Sequence, residues 1–229
     1  MRMTLEIYQE RINEIELYFN ALKELYQTQS RESEHSFYND DFLKILKANA
    51  LIMIYNLVES SIMGGILEIY DELKISGYSY KDVRKEIQDI WFSFKFNQVY
   101  DKTAHYNSYR DKAAEIINAI MKNEPIAMDR KATDISGNLD ADKIRQICSD
   151  HGITYTIDST CRGGLVLEDV KNKRNQLAHG TTSFAECGRY YAIDDLEKIK
   201  NETVIFLNGI LQGMKKYYDE KTYLKVVNS

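Results

Sequence analysis

An arginine, an amide and a histidine lie close together in the segment Arg174-Asn175-Gln176-Leu177-Ala178-His179-Gly180, and these side-chain types suit phosphodiester transfer in RNA. Arginine stays charged and can grip a phosphate through two parallel hydrogen bonds as negative charge builds up, while histidine is the side chain suited to taking or giving a proton near neutral pH. In that reaction a ribose 2′-hydroxyl attacks the adjacent phosphorus and the following 5′-oxygen leaves, which in principle requires neither a metal nor another cofactor. Asn175 is placed to orient either partner.

Spacing alone does not complete such a site. At 100° per residue, five helical positions leave Arg174 and His179 roughly 140° apart, so a straight helix does not aim them at one point. Fraying or a tighter last turn before Gly180 could swing His179 round, and a symmetric dimer could line two copies of each residue along one cleft. A histidine and a glycine also end helices for ordinary reasons of capping and dipole, so the same residues are open to a purely structural reading. Arg145 and His151 form a second arginine and histidine pair, six apart, with no supporting context. Cys161, Cys187 and His179 fit no zinc spacing, so no metal is expected. Gly163-Gly164 lacks the Lys-Ser/Thr of a phosphate loop and reads as a turn.

The charge balance limits how RNA could be held. Net charge is −5 and the pI is near 5.5, the opposite of a protein bound to nucleic acid mainly through phosphate contacts. Any attraction must be local, and the best patch is Lys171, Lys173 and Arg174 with Arg162 nearby, although two lysines on a solvated helix face would look the same. Tyr190 and Tyr191 follow the motif closely and could stack on a base, where the structural alternative is helix packing.

The elements that must carry these residues are helical. Pro125 is the single proline, and Leu, Ile, Lys, Glu, Ala and Tyr dominate long stretches, which favours an all-α fold. Apolar periodicity predicts a first helix from Leu5 to about Tyr26, then a mobile polar connection, QTQSRESEHSFYNDD. A second helix runs from near Asp41 to Gly77, apolar on more than one face and therefore central, which leaves Asn49, Asn56, Glu59, Ser60 and Ser61 needing partners or a site to face. A third covers YKDVRKEIQDIWFSFKF and a fourth runs from about Asn107 to Met121, with a loop from Pro125 to Thr133. SGNLDADKIRQICSDHG offers Asn138 or Asp140 as a cap and Gly152 as a stop, and ITYTID has the alternation of a short strand. Two more helices follow, from about Leu165 to Leu177 and from an Asp194-x-x-Glu197 capping box to about Tyr218.

We expect one domain over 1–229: an N-terminal helix and connection in 1–40, core helices in 41–122, an insertion with a small helix and short strand in 123–160, and the motif-bearing helices in 161–229. Cys148, Cys161 and Cys187 are odd in number with no Cys-x-x-Cys pair, which suits a reducing cytoplasm. The acids in MRMTLEIYQERINEIEL do not suit a signal core, and no run of about 18 apolar residues is evident, so neither export nor a membrane span is expected.

The stretch LEDVKNKRNQLAHGTTSFAECGRYYAIDDLEKIK resembles the C-terminal signature of HEPN-domain proteins, and with ALIMIYNLVESSI and SGNLDADKIR it is similar to the branch of MAE-type HEPN-like nucleases. The likeness covers most of 40–215. The resemblance implies an α-helical bundle, a homodimer with Arg174 and His179 facing across the interface, and metal-independent RNA cleavage in toxin–antitoxin or antiphage systems. It also implies Asn175 as the polar residue after the family arginine, and Glu59 or Asn56 as the polar residue carried by an earlier core helix. Some HEPN proteins only bind or scaffold, and some accompany a nucleotidyltransferase or an ATPase, so a non-catalytic helical module is the alternative expectation.

Overall fold

The computed structural model describes residues 1–31, 40–97 and 106–226. Among them are eight α-helices: α1 (Arg2–Arg31), α2 (Asp40–Ile75), α3 (Lys85–Asn97), α4 (Tyr106–Met121), α5 (Ala141–His151), α6 (Val166–Ala178), α7 (Phe184–Arg189) and α8 (Ile193–Asp219). The fold is all-α, as the composition predicts.

Helix α2 is the axis of the bundle. Its buried residues, from Leu43 through Leu51, Ile54, Ile62, Ile66 and Ile69 to Leu73, point in several directions because α1, α6, α7 and α8 all pack on it. Among the described residues it is the one helix long and apolar enough to cross a membrane, yet most of its apolar window is buried inside the bundle, which is how a core helix behaves. Ser60 and Ser61 satisfy their hydroxyls locally by donating to the Leu57 carbonyl, at 3.2 and 2.6 Å. On α1, Tyr8, Ile15, Phe19 and Leu22 form the stripe facing the core.

Several boundaries differ from the sequence expectation for identifiable reasons. Of the expected mobile connection, residues 27–31 continue helix α1, Asp40 and Asp41 open α2, and 32–39 lie outside the described residues. Helix α3 starts at Lys85 rather than near Tyr80, because the Asp82 carboxylate accepts from both the backbone N–H and the hydroxyl of Ser79 (2.7 Å each) and holds a turn there. Helix α8 opens at Ile193 with Ala192 as its N-cap, two residues before the expected Asp194 cap: Asp195 accepts from the Ala192 N–H at 3.2 Å, and Glu197 pairs instead with Lys23 at 2.5 Å.

The segment 153–158 is not a strand. It runs extended along α8, where Gly209 and Gly213 open a groove: a Cβ on either would stand 2.5 Å from the Thr156 carbonyl oxygen or 2.6 Å from that of Thr154. Alternation in ITYTID therefore reflects one side facing a helix, not pairing in a sheet. Helix α7 was not anticipated: Ser183 caps it, its hydroxyl accepting from the Glu186 N–H at 3.1 Å.

Candidate functional site

Helix α6 buries Leu167, Val170 and Leu177 and carries Lys171, Arg174 and Asn175 at the border of that stripe. Over this border runs the segment 129–140. A 3₁₀ turn, Arg130–Thr133, capped by Asp129, leads to Gly137, whose φ of +78° suits glycine, and then to Asp140, whose carboxylate caps α5 by accepting from the Lys143 N–H at 2.9 Å. Of the two caps open in the sequence, Asp140 is the one used.

Arg174 is the centre of a converging set. Its Nη1 donates to the Gly137 carbonyl at 3.0 Å and to the Asn175 Oδ1 at 2.9 Å, and its Nη2 donates to Glu59 Oε2 at 3.2 Å. The guanidinium lies over the Tyr55 ring, 4.2 Å from its centroid, a distance at which a cation is attracted to the aromatic face. The Tyr55 hydroxyl in turn accepts from the Leu139 N–H at 3.2 Å, and burial is the main cause of its raised pKa. Glu59 also reaches Arg130 at 3.4 Å, so one carboxylate sits between two guanidinium groups. Three of the five N–H donors of Arg174 are used, leaving Nε–H and one Nη2 hydrogen.

His179 stands apart from this set. It is the C-cap of α6 with φ −89° and ψ −2°, and its backbone N–H makes an ordinary α-helical bond to the Asn175 carbonyl at 3.0 Å. Gly180, at φ +69°, and Thr181 then close the helix by donating to the carbonyls of Leu177 and Gln176 at 3.2 and 3.0 Å. His179 thus keeps α-helical spacing, and the tighter i→i−3 bond begins only at Gly180, after the histidine. The imidazole is exposed and makes no hydrogen bond among the described residues.

A family model described as MAE_28990-like HEPN matches residues 5–223. The chain belongs to this HEPN family. No curated protein and no solved structure matches it.

Within this HEPN fold, three of the four cations grouped by sequence, Lys171, Arg174 and Arg162, have resident carboxylate partners. Lys171 pairs with Asp140 at 2.5 Å, and Arg162 makes a forked pair with Glu202 at 2.9 to 3.2 Å. Lys173 is half-buried and forms no ion pair among the described residues, and Tyr190 is exposed. Asn56 is exposed on α2 and makes no hydrogen bond among the described residues, whereas Glu59 joins the Arg174 set. Of the two candidates on the core helix, only Glu59 meets the motif.

Arg145 and His151 do not form a site. Arg145 donates to the Gly163 carbonyl and pairs with Asp142, while His151 is 3% exposed. Its Nδ1 lies 2.7 Å from the Ile147 carbonyl, which can only accept, so Nδ1 carries the proton and Nε2 accepts from the Tyr70 hydroxyl at 2.7 Å. Burial lowers its pKa against the opposing pull of the Ile147 carbonyl. The three thiols are free and buried, Cys148 being pushed up to about 12 by burial. Among the described residues no group of three or more His, Cys, Asp or Glu is placed to hold a metal ion. Tyr55, Arg130, Gly137 and Asn138 are the site neighbours that sequence reasoning did not assign.

Proposed function

We propose that this HEPN protein is an endoribonuclease that works as a homodimer, with Arg174 holding the scissile phosphate, His179 transferring protons and Asn175 supporting Arg174. The observation that carries this reading is the guanidinium itself. It is fixed on its Nη1 side by Gly137 and Asn175 and underneath by Tyr55, and the free Nε–H and Nη2–H remain for two phosphate oxygens. Arg174 and His179 of one chain diverge, so the reading pairs the motif with that of a second copy, bringing two exposed imidazoles to one cleft. One His179 takes the 2′-hydroxyl proton as the oxygen attacks phosphorus. The bond to the 5′-oxygen breaks, that oxygen takes a proton from the other His179, and a 2′,3′-cyclic phosphate is left.

The biological setting that fits is a toxin or antiphage effector in the cytoplasm, held in check by an antitoxin or working with an ATPase or nucleotidyltransferase. A second reading, a non-catalytic dimerisation or accessory module of such a system, is favoured by the pairing of Arg174 with Glu59, which gives the arginine a structural role without RNA.

Incubation of the purified protein with transfer and messenger RNA in chelator separates the two. The ribonuclease reading expects cuts ending in 2′,3′-cyclic phosphate, absent with His179→Ala and absent on RNA carrying a 2′-deoxy residue at the cut. Cleavage by His179→Ala at the parental rate sinks it.

A further inference from the structure

We propose that Asn138 is a positioning residue, which holds the Asn175 carboxamide so that its oxygen faces Arg174; its effect on cleavage rests on the ribonuclease reading. Asn175 donates through Nδ2 to Asn138 Oδ1 at 2.8 Å and accepts through Oδ1 from Arg174 Nη1 at 2.9 Å. A guanidinium has only donors, so the carboxamide must turn its oxygen to Arg174, and its NH2 group then needs an acceptor on the far side. Asn138 is that acceptor. The three side chains form a relay in which each bond sets the direction of the next.

Asn138 is held where this requires. The residue before it, Gly137, gives its carbonyl to Arg174, and a Cβ there would lie 3.1 Å from Arg174 Nη2, so the chain passes close against the guanidinium and a side chain there would press on it. The residue after it, Leu139, is buried and donates its N–H to the Tyr55 hydroxyl, beneath the same guanidinium. One step further, Asp140 caps α5 and pairs with Lys171 of the motif helix. Gly137, Asn138, Leu139 and Asp140 thus each touch the Arg174 set or its helix. The carboxamide of Asn138 has no capping duty and is exposed, so its bond to Asn175 is its own contribution.

The consequence concerns geometry during reaction. When Arg174 turns its remaining donors to a phosphate, Asn175 is the lateral stop that keeps Nη1 in place, and Asn138 is what keeps Asn175 from rotating. Losing one neutral hydrogen bond in this relay lowers kcat about tenfold, with KM nearly unchanged, because the charge that binds phosphate is still present.

The test uses the full-length protein in two arms. In RNA-free protein, nitrogen-15 NMR follows the side-chain amide protons of Asn175, assigned by their loss in Asn175→Ala. Asn138→Ala is expected to shift them and speed their exchange with water, and Asn138→Asp, which keeps an acceptor oxygen, to leave them near the parental state. In the cleavage arm, Asn138→Ala is expected to lower kcat with KM held, and Asn138→Asp to restore most of it. Unchanged Asn175 signals in Asn138→Ala overturn the positioning role whether or not RNA is cut. Shifted signals with parental kcat overturn its importance to cleavage. A parent protein that cuts no RNA removes the ribonuclease reading, and the NMR arm still decides the relay.

Discussion

Replacing Arg174 by lysine keeps the charge and removes the planar fork, so it isolates what the guanidinium geometry contributes. In the folded protein Arg174 is 24% exposed and Glu59 21%, and the arginine makes two hydrogen bonds through Nη1, one through Nη2, and a stacking contact with Tyr55. Lysine, a single ammonium at the end of a flexible stem, keeps the attraction to Glu59 and cannot keep both the Gly137 and the Asn175 bonds while lying flat on the ring. With hydrogen bonds to a charged donor contributing about 1.5 to 3 kcal/mol each, and some bonding recovered by lysine, the expected loss of stability is about 2 kcal/mol. For a chain of this length that is a fall in Tm of about 4 to 8 °C, leaving the protein folded at 25 °C. On the ribonuclease reading cleavage suffers more: the lost guanidinium donors are the ones proposed to hold the phosphate, and removing even one such preorganised donor typically lowers rate by about 100-fold or more. Scanning calorimetry and single-turnover cleavage of one defined RNA in chelator measure both effects. Arg174→Lys with kcat/KM within about threefold of the parent refutes the fork, and an unchanged Tm refutes the stabilising role given to the Nη1 contacts.

Tyr55→Phe keeps the ring under Arg174 and strips the acceptor from the buried Leu139 N–H, so a loss of about 1 to 3 kcal/mol in urea unfolding is expected, with a smaller effect on cleavage. His151 makes stability fall on the acid side: its pKa is lowered in the folded state by burial, so the unfolded chain binds the extra proton. That contribution is full above the ordinary histidine value of about 6.5 and declines as pH drops below it, by at most about 1.4 kcal/mol per pH unit. The difference in stability between pH 7.5 and 5.0 should therefore shrink in His151→Gln, and an unchanged difference contradicts a neutral buried imidazole. In α7, Gly188→Ala would set its Cβ 1.8 Å from the Lys44 carbonyl oxygen of α2, a backbone atom that cannot turn aside, so a loss of about 3 kcal/mol is expected. Parental stability in that variant rules out the close approach of α7 to α2.

Much of the fold was legible because it is written in long periodic stretches. The all-round apolar character of α2 identified the central helix, since only a helix packed on several sides needs it. Short elements were less legible. Six residues of α7 carry too little periodicity, although Ser183 three positions before Glu186 was an available capping signal. ITYTID was misread because alternation records that one side is buried and does not say whether a strand or a helix covers it. The candidate site was legible where types are rare: Arg174 and Asn175 do meet Glu59 in one network, while Tyr55 reads as core until the guanidinium is placed on it. Gly137 and Asn138 lie 37 positions from the residues they touch, and no local pattern reports a contact that depends on how the 129–140 segment crosses α6.

On the ribonuclease reading, the same network bears on how an acidic chain would engage a polyanion. Arg174 and Arg130 share Glu59, Lys171 faces Asp140, and Arg162 faces Glu202, so the cations grouped by sequence as a phosphate patch, Lys173 apart, are largely neutralised at rest. Such a surface exerts little long-range pull on RNA. A phosphate would have to replace a carboxylate or use donors that remain free, and Arg174 and Arg130 have both options: each keeps unused donors, and each shares Glu59 with the other, so the carboxylate stays paired when one of them lets go. Recognition at one phosphate, not adhesion along a strand, is the mode that this charge arrangement favours.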